Sequence, residues 1–176
     1  MTWFAAYKPD RPSAGPSVPV RRGGLDDVPG CLELAVTVLG LNPVTWADSL
    51  RDSATDADRM LHVAEDEGRI IGYGRSALYT PPADAPDNAA PAGWYLLGLV
   101  VDPAYRRRGV GRALTVARMA SIFERAEAVW YFARARNQAS LDLHTELGFV
   151  EVTRDFWFPE LTFEGGVGVL ARAELR

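Results

Sequence analysis

The chain has 176 residues, a formal net charge of -4 and a 48% share of hydrophobic residues. Its length predicts a single domain over residues 1–176 with a sizeable core, and its negative charge argues against a general nucleic-acid-binding protein. Because Cys31 is the only cysteine and His62 and His144 are the only histidines, we predict neither an internal disulfide nor a metal site.

Residues 1–17 are predicted to form an extended arm. Three prolines interrupt regular structure there, and the aromatic side chains among them favour packing on a neighbouring subunit, so we expect a homodimer. The arm lacks the apolar stretch of a signal peptide, and no run in the chain reaches 18 apolar residues. These features predict a soluble cytoplasmic protein that does not enter a membrane.

Hydrophobic periodicity and turn residues divide the rest of the chain into elements. In the first half of the chain we predict an edge strand over 18–22, a helix from Asp26 or Asp27 to about 39, and a short helix opening at Asn42-Pro43. An acidic loop over 52–58 and a hairpin of strands over 59–65 and 69–79 follow. In the second half we predict a buried strand over 94–101, a helix from 110 to about 126, a strand over 128–135, a helix after Asn137, and strands over 149–155 and 163–172. Residues 80–92 are rich in proline and alanine and predict a mobile loop, either a lid or a tolerated surface insertion.

A loop suited to an anion joins the central strand to the next helix. Gly109 and Gly111 let the backbone approach a ligand, and the helix starting at Val110 presents free N–H groups and its positive dipole end. Four arginines add positive charge: Arg106, Arg107, Arg108 and Arg112. A Walker loop is excluded because the only lysine is Lys8, and a dinucleotide fingerprint is excluded because Leu114 occupies its third glycine position.

Two motifs carry a family resemblance. The first is Arg106-x-x-Gly109-x-Gly111, which follows a strand that ends at Val101-Asp102-Pro103. The second spans 137–149 and follows the pattern N-x-x-A-x-x-L-Y-x-x-x-G-F at Asn137, Leu143, Gly148 and Phe149, with Ser140 in place of the alanine and His144 in place of the tyrosine. They resemble motifs A and B of the GNAT superfamily, the acyl-CoA-dependent N-acetyltransferases, and the resemblance covers roughly residues 59–155.

The resemblance implies the GNAT fold, an α/β (α+β) architecture. Its sheet is mixed and mostly antiparallel, with six to seven strands, a splayed central parallel pair and about four flanking helices. It also implies acetyl-CoA as co-substrate, with backbone amides of the loop on the pyrophosphate, a backbone N–H near Leu99 or Val100 on the thioester oxygen and Asn137 on pantetheine. The cofactor-binding candidates are Leu99, Val100, Val101, Arg106, Arg107, Arg108, Gly109, Val110, Gly111, Arg112, Ala113, Asn137 and Ser140.

Acetyl transfer also requires proton transfers. The resemblance places His144 where the family often has a tyrosine, and its ordinary pKa of about 6.5 suits an acid that protonates the leaving thiolate. The base is not visible in the sequence, because the central strand carries no carboxylate; Tyr95, Glu65 and a water chain are the three alternatives. Direct attack by the amine needs no nucleophile from the enzyme.

Three functions follow from the resemblance. The first is an N-acetyltransferase for a primary amine of a small molecule, and the acidic loop and negative net charge favour a cationic acceptor. The second is acetylation of a protein N-terminus or lysine. The third is a non-catalytic module that binds acyl-CoA, which the missing carboxylate base keeps open.

Overall fold

In a computed structural model, the residues that the structure describes are 18–163 and 166–175. They form, in chain order, β1 (Val20–Arg22), α1 (Val28–Leu39), α2 (Pro43–Thr55), β2 (Arg59–Asp66), β3 (Arg69–Tyr79), β4 (Gly93–Val101), α3 (Val110–Phe123), β5 (Ala128–Arg134), α4 (Gln138–Glu146), β6 (Val150–Thr153) and β7 (Gly168–Glu174). The seven strands have the order β1-β2-β3-β4-β5-β7-β6. The β4–β5 pair is parallel, whereas β1–β2, β2–β3, β5–β7 and β6–β7 are antiparallel. The predicted mixed sheet with a central parallel pair is therefore confirmed.

The chain divides into two compact units. Among the described residues, the first unit comprises 18–77 and 97–121, and the second comprises 78–96, 122–163 and 166–175. The single domain over residues 1–176 stays a prediction. The extended arm over 1–17, and the homodimer expected from it, concern residues outside the described ranges. No helix in those ranges is long and apolar enough to cross a bilayer.

Helices cover both faces of the strands in the first unit. On one face, α1 and α2 contribute Leu34 and Leu50 to a core that includes Leu61 of β2 and Tyr73 of β3. On the other face, Leu114 of α3 joins a second apolar cluster. This arrangement follows from strand alternation, because successive side chains of β2 and β3 point to opposite faces.

The strands of the second unit separate two groups of aromatic side chains. Tyr95 of β4, Phe132 of β5 and Phe158 form one group, with ring centroids 4.9–6.2 Å apart. Tyr131 of β5 points to the opposite face and stacks on His144 of α4. The parallel ladder between β4 and β5 comprises three pairs, from Trp94–Val129 to Leu96–Tyr131.

Two predicted boundaries are wrong. Helix α2 continues to Thr55, so the acidic loop does not begin at residue 52. The Ser53 and Thr55 hydroxyls donate to backbone carbonyls four residues earlier, at 2.8 and 2.9 Å, so these polar residues fit within the helix. The last strand, β7, begins at Gly168 and not at residue 163.

The proline-rich loop over 80–92 belongs to the second unit, and its end is bonded to residues 155–157 of the same unit. Ala89 forms an isolated bridge with Trp157, and the Asn88 amide donates to the Asp155 carboxylate at 2.7 Å. The Ala90 N–H donates to the Trp157 carbonyl at 2.8 Å. These contacts locate the end of the loop, and its role as a lid stays a prediction.

Candidate active site

The predicted anion-binding loop lies in the first unit and is fixed at its start by Asp102. The Asp102 N–H donates to the Ile71 carbonyl at 2.9 Å. Its carboxylate accepts from the Ala104 N–H at 2.9 Å and from the Arg69 guanidinium at 2.5 Å. The chain therefore leaves β4 at a defined point, and a short 3-10 turn over Pro103–Tyr105 directs it toward α3.

The end of this loop has the geometry that an anion needs. Gly109 has φ +85°, a left-handed conformation that disfavours any other residue, and no described atom lies within 4 Å of the Cβ that a side chain would add there. The Ala113 N–H donates to the Gly109 carbonyl at 2.9 Å. The N–H groups of Val110 and Gly111 precede this helical bond, at the positive end of the α3 dipole. This helix start offers free N–H groups to an anion, and its contact with the pyrophosphate of coenzyme A stays a prediction.

The arginines of the loop are exposed: Arg106, Arg107, Arg108 and Arg112. The Arg106 Nε donates to the Val101 carbonyl at 3.4 Å, and the Arg108 guanidinium lies 5.3 Å from the Tyr105 ring. Solvent screens charges at such positions. We therefore expect the backbone amides to supply most of the affinity for an anion, and the arginines to add a positive electrostatic potential around it.

Helix α3 holds a buried arginine, although the amphipathic pattern of its sequence predicts the polar residues Thr115 and Arg118 on the outer, polar face. Thr115 is fully buried and Arg118 is 1% exposed, so that assignment was wrong for both. The Arg118 Nη1 donates to the Leu97 carbonyl of β4 at 3.0 Å, and Nε donates to the Leu114 carbonyl at 3.3 Å. The sequence spacing alone did indicate burial of Arg118, because this residue follows Leu114 by four positions and lies on the apolar stripe that includes Val110.

The start of α4 combines a cap with a hydroxyl pair. The Asn137 side chain accepts from the Ser140 N–H at 3.3 Å, as an N-cap residue does. The Ser140 hydroxyl lies 2.5 Å from the hydroxyl of Tyr131. The structure brings Asn137 and Ser140 together at one helix end, and their contact with pantetheine stays a prediction.

His144 lies on the same helix and is 3% exposed. Its ring stacks on Tyr131 with a centroid distance of 3.5 Å and an interplanar angle of 6°, and its Nδ1 lies 2.8 Å from the Ser140 carbonyl oxygen. A carbonyl oxygen only accepts, so Nδ1 carries a hydrogen. In the neutral ring Nε2 then holds the lone pair, and in the imidazolium Nε2 holds the proton that can be transferred.

Tyr95 is fully buried in the second unit. Its hydroxyl donates to the Pro91 carbonyl at 2.6 Å, and burial raises the pKa of its phenol above the usual range. A phenol in this environment remains protonated near neutral pH, so it is poorly suited to accept a proton from an amine.

Glu65 lies at the end of β2 in the first unit. Its carboxylate accepts from the Arg21 guanidinium at 2.9 Å, and the same guanidinium binds Asp27 at 2.8 Å. This ion-pair group gives Glu65 a structural partner. Sequence analysis did not anticipate it, because Arg21 and Glu65 are far apart in the chain and meet only through the β1–β2 pairing.

Leu99, Val100 and Val101 form the end of β4 in the first unit. Val100 is 4% exposed, whereas Leu99 and Val101 are half-buried. The parallel ladder with β5 ends at Leu96, and β4 itself continues to Val101. The N–H groups near Leu99 therefore lie past the paired part of that ladder.

Comparisons with known proteins agree with this architecture. A family model described as "Acetyltransferase (GNAT) family" matches residues 33–149. A solved GNAT-family acetyltransferase from Bacillus cereus ATCC 10987 has a TM-score of 0.67 and 16% identity, with 90% of this chain and 98% of that chain covered. At this identity the likeness concerns the fold.

Two curated relatives are similar in sequence. The mycothiol acetyltransferase of Amycolatopsis mediterranei (strain U-32) is 28% identical over 152 residues, which is 78% of this chain and 50% of the relative. The ribosomal protein bS18-alanine N-acetyltransferase of Escherichia coli (strain K12) is 41% identical over 59 residues, which is 33% of this chain and 40% of the relative. The chain thus spans half or less of the length of these relatives. Because the family model covers most of the chain and the fold agrees with it, this protein belongs to the GNAT acetyltransferase family.

Proposed function

We propose that this protein is an N-acetyltransferase that moves the acetyl group of acetyl-CoA to a primary amine of a small molecule. The observation that carries the proposal is the helix start at Gly109, with its left-handed glycine and outward N–H groups. Acetyl-CoA, when bound, supplies a thioester carbonyl that an amine can attack. The residues that would hold its pyrophosphate are the loop amides from Gly109 to Arg112, with the exposed arginines around them. The Ala113 N–H, a candidate from the sequence, already donates to the Gly109 carbonyl and is therefore left out.

The transfer needs stabilisation of an oxyanion. We assign this role to a backbone N–H near Leu99 or Val100, because β4 continues past the end of its parallel ladder with β5. A donor fixed in a strand costs no reorganisation when charge develops on the thioester oxygen.

His144 would protonate the leaving thiolate. The Ser140 carbonyl holds the Nδ1 hydrogen, so the proton available for transfer is that on Nε2 of the imidazolium. The parallel stack on Tyr131 fixes the plane of the ring and therefore the direction of that N–H.

The amine must lose a proton before it attacks. Tyr95 donates to a carbonyl and Glu65 is ion-paired, so of the three alternatives a water chain is the route that their contacts favour. Attack by the amine itself is also favoured over an acetyl-enzyme intermediate. Cys31 is fully buried and burial raises the pKa of its thiol to about 12, so its reactive thiolate is scarce.

A second candidate function is acetylation of a protein N-terminus. It is favoured by the similarity to the bS18-alanine N-acetyltransferase, which is the higher of the two identities but covers only a third of this chain. The small-molecule acceptor is favoured by the similarity to the mycothiol acetyltransferase, which covers most of it. The two candidates differ in whether a free amine or a peptide N-terminus is consumed.

The test measures thiol release from acetyl-CoA against panels of small amines and of short peptides, with thermal stabilisation by acetyl-CoA read on the same sample. Release with a small amine supports the proposal, and release with peptides alone supports the second candidate. Stabilisation without release from either panel indicates a binding module. If saturating acetyl-CoA neither stabilises the protein nor releases thiol, the assignment of the helix start at Gly109 is wrong.

A further inference from the structure

An arginine in the first unit has no carboxylate partner among the described residues. Arg75 of β3 is half-buried, and its guanidinium carbon lies 4.2 Å from the centroid of the Trp46 ring. Its Nη1 donates to the Ser49 hydroxyl at 2.5 Å. Its Nε is buried and forms no hydrogen bond within the described part of the chain. One hydroxyl and one aromatic face thus hold a group with five N–H donors.

No described carboxylate forms an ion pair with Arg75. Burial lowers the pKa of its guanidinium, and the titratable groups that act on it are Tyr73 and Arg59, neither of which supplies a carboxylate. The more exposed Arg21 and Arg69, in contrast, both bind carboxylates. An arginine removed from water without a counter-charge is costly, so an anion from outside the chain would relieve that cost.

Gly98 of β4 leaves this guanidinium open to a ligand. A Cβ built at Gly98 would lie 3.5 Å from Nη2 and 3.9 Å from Nε of Arg75, and Gly98 is exposed. Because Nε is already buried, a side chain at this position would cover Nη2, the nitrogen that faces away from Ser49. Gly98 also directly precedes Leu99, whose N–H is a candidate for the oxyanion contact. Gly98, beside the Arg75 guanidinium, and Leu99, at the proposed reaction centre, are therefore neighbours on the same strand.

We propose that Arg75, held by Trp46 and Ser49, binds a carboxylate of the acceptor, so that the enzyme acetylates amines that also carry a carboxylate. This inference rests on the proposed acetyltransferase function and narrows its substrate class. A guanidinium presents paired N–H donors in a plane, which matches a carboxylate. The net charge of the chain suggested a cationic acceptor; Arg75 selects one that is zwitterionic.

The first test compares matched acceptors. The panel contains α-, β- and γ-amino acids, each paired with its carboxamide, and kcat/KM is measured for both members of every pair. We expect the best amino acid to exceed its amide by at least about tenfold, because the amide cannot satisfy the guanidinium. Arg75→Gln should reduce that ratio to about one. Arg51→Gln, which removes an exposed arginine of α2 paired with Asp48, should leave activity and ratio unchanged. Equal kcat/KM values within the pairs, or a ratio that survives in Arg75→Gln, would overturn the proposal.

A second variant leaves the arginine in place. Gly98→Val should also reduce the ratio, because its side chain would cover the Arg75 donors, and the backbone at Gly98 is not in the left-handed region. If the kcat/KM ratio of amino acid to amide is unchanged in this variant, the acceptor carboxylate does not reach Arg75 beside Gly98.

A binding measurement separates this proposal from the proposed activity. N-acetylglycine and N-acetylglycinamide, which need no turnover, are titrated into the protein with coenzyme A present and followed by NMR. Tighter binding of the carboxylate to the wild type, lost in Arg75→Gln, supports the subsite even if no amine is acetylated. Equal binding of both compounds refutes it even if acetylation occurs.

Discussion

Replacing Arg118 by methionine should destabilise the first unit strongly. The side chain is 1% exposed, and its Nη1 donates to the carbonyls of Arg75 on β3 at 3.1 Å and of Leu97 on β4 at 3.0 Å. The backbone is fitted to it, because a Cβ on Gly74 would lie 2.8 Å from the Arg118 Nε. Methionine fills much of the volume but leaves both carbonyls without this donor.

The magnitude follows from those two bonds. A hydrogen bond from a charged donor contributes about 1.5–3 kcal/mol, so losing both should cost about 3–6 kcal/mol in the free energy of unfolding. Urea denaturation at 25 °C measures this loss. The control is Arg51→Met, which removes an exposed pair with Asp48 and should cost less than about 1 kcal/mol. A loss below about 1 kcal/mol in Arg118→Met would refute the view that this guanidinium holds β3 and β4.

Three further predictions concern the cofactor, the acid and the buried histidine. Gly109→Val should weaken acetyl-CoA binding at least about tenfold, measured by thermal shift; Gly40→Val, at another left-handed glycine (φ +62°) far from the loop in sequence, controls for backbone strain and should keep normal affinity. His144→Phe should lower kcat by about 10²-fold or more with little change in acetyl-CoA affinity, and unchanged kcat would remove His144 from the mechanism. Burial lowers the pKa of His62 to about 4, below its unfolded value of about 6.5, so the unfolded state binds the proton first as pH falls. The wild type should therefore lose up to about 3 kcal/mol more stability than His62→Gln between pH 7 and pH 4, measured by urea denaturation, and parallel pH profiles would contradict this.

The elements that sequence analysis located well are those whose signals are local. The strand over 69–79 was predicted with its observed bounds, and α3 begins at the predicted Val110. The N-cap at Asn137 and the left-handed Gly109 follow from residue type and a few neighbours. The end of α2 was predicted less accurately. Ser53 and Thr55 are residue types that favour loops, but in the structure their hydroxyls donate to backbone carbonyls of the helix.

Contacts between distant residues were beyond sequence reasoning. Helix spacing places Arg118 on the stripe of Val110 and Leu114, but an arginine there is ordinarily exposed. Its burial also requires acceptors from other elements, which here are the carbonyls of Arg75 and Leu97. The same applies to Tyr95, whose hydroxyl donates to Pro91 in the adjacent loop, and to Glu65, which pairs with Arg21 through strand register. The place of a residue on a strand near a motif therefore predicts roughly where its side chain lies. It does not predict the hydrogen bonds and ion pairs that decide the protonation state of that side chain.

This difference between local and distant signals bears on how an acceptor is chosen. The helix start at Gly109 lies in one short stretch of sequence, and the group that we propose it binds is common to all acyl-CoA molecules. This motif therefore identifies the family and nothing narrower. The surroundings of Arg75 come from α2 and β4, so Trp46, Ser49 and Gly98 all lie outside the cofactor loop. Acceptor specificity can therefore diverge while the fold and the cofactor motif persist. For this chain, we would look for the substrate first at the guanidinium beside Gly98, because this half-buried arginine has no carboxylate partner among the described residues.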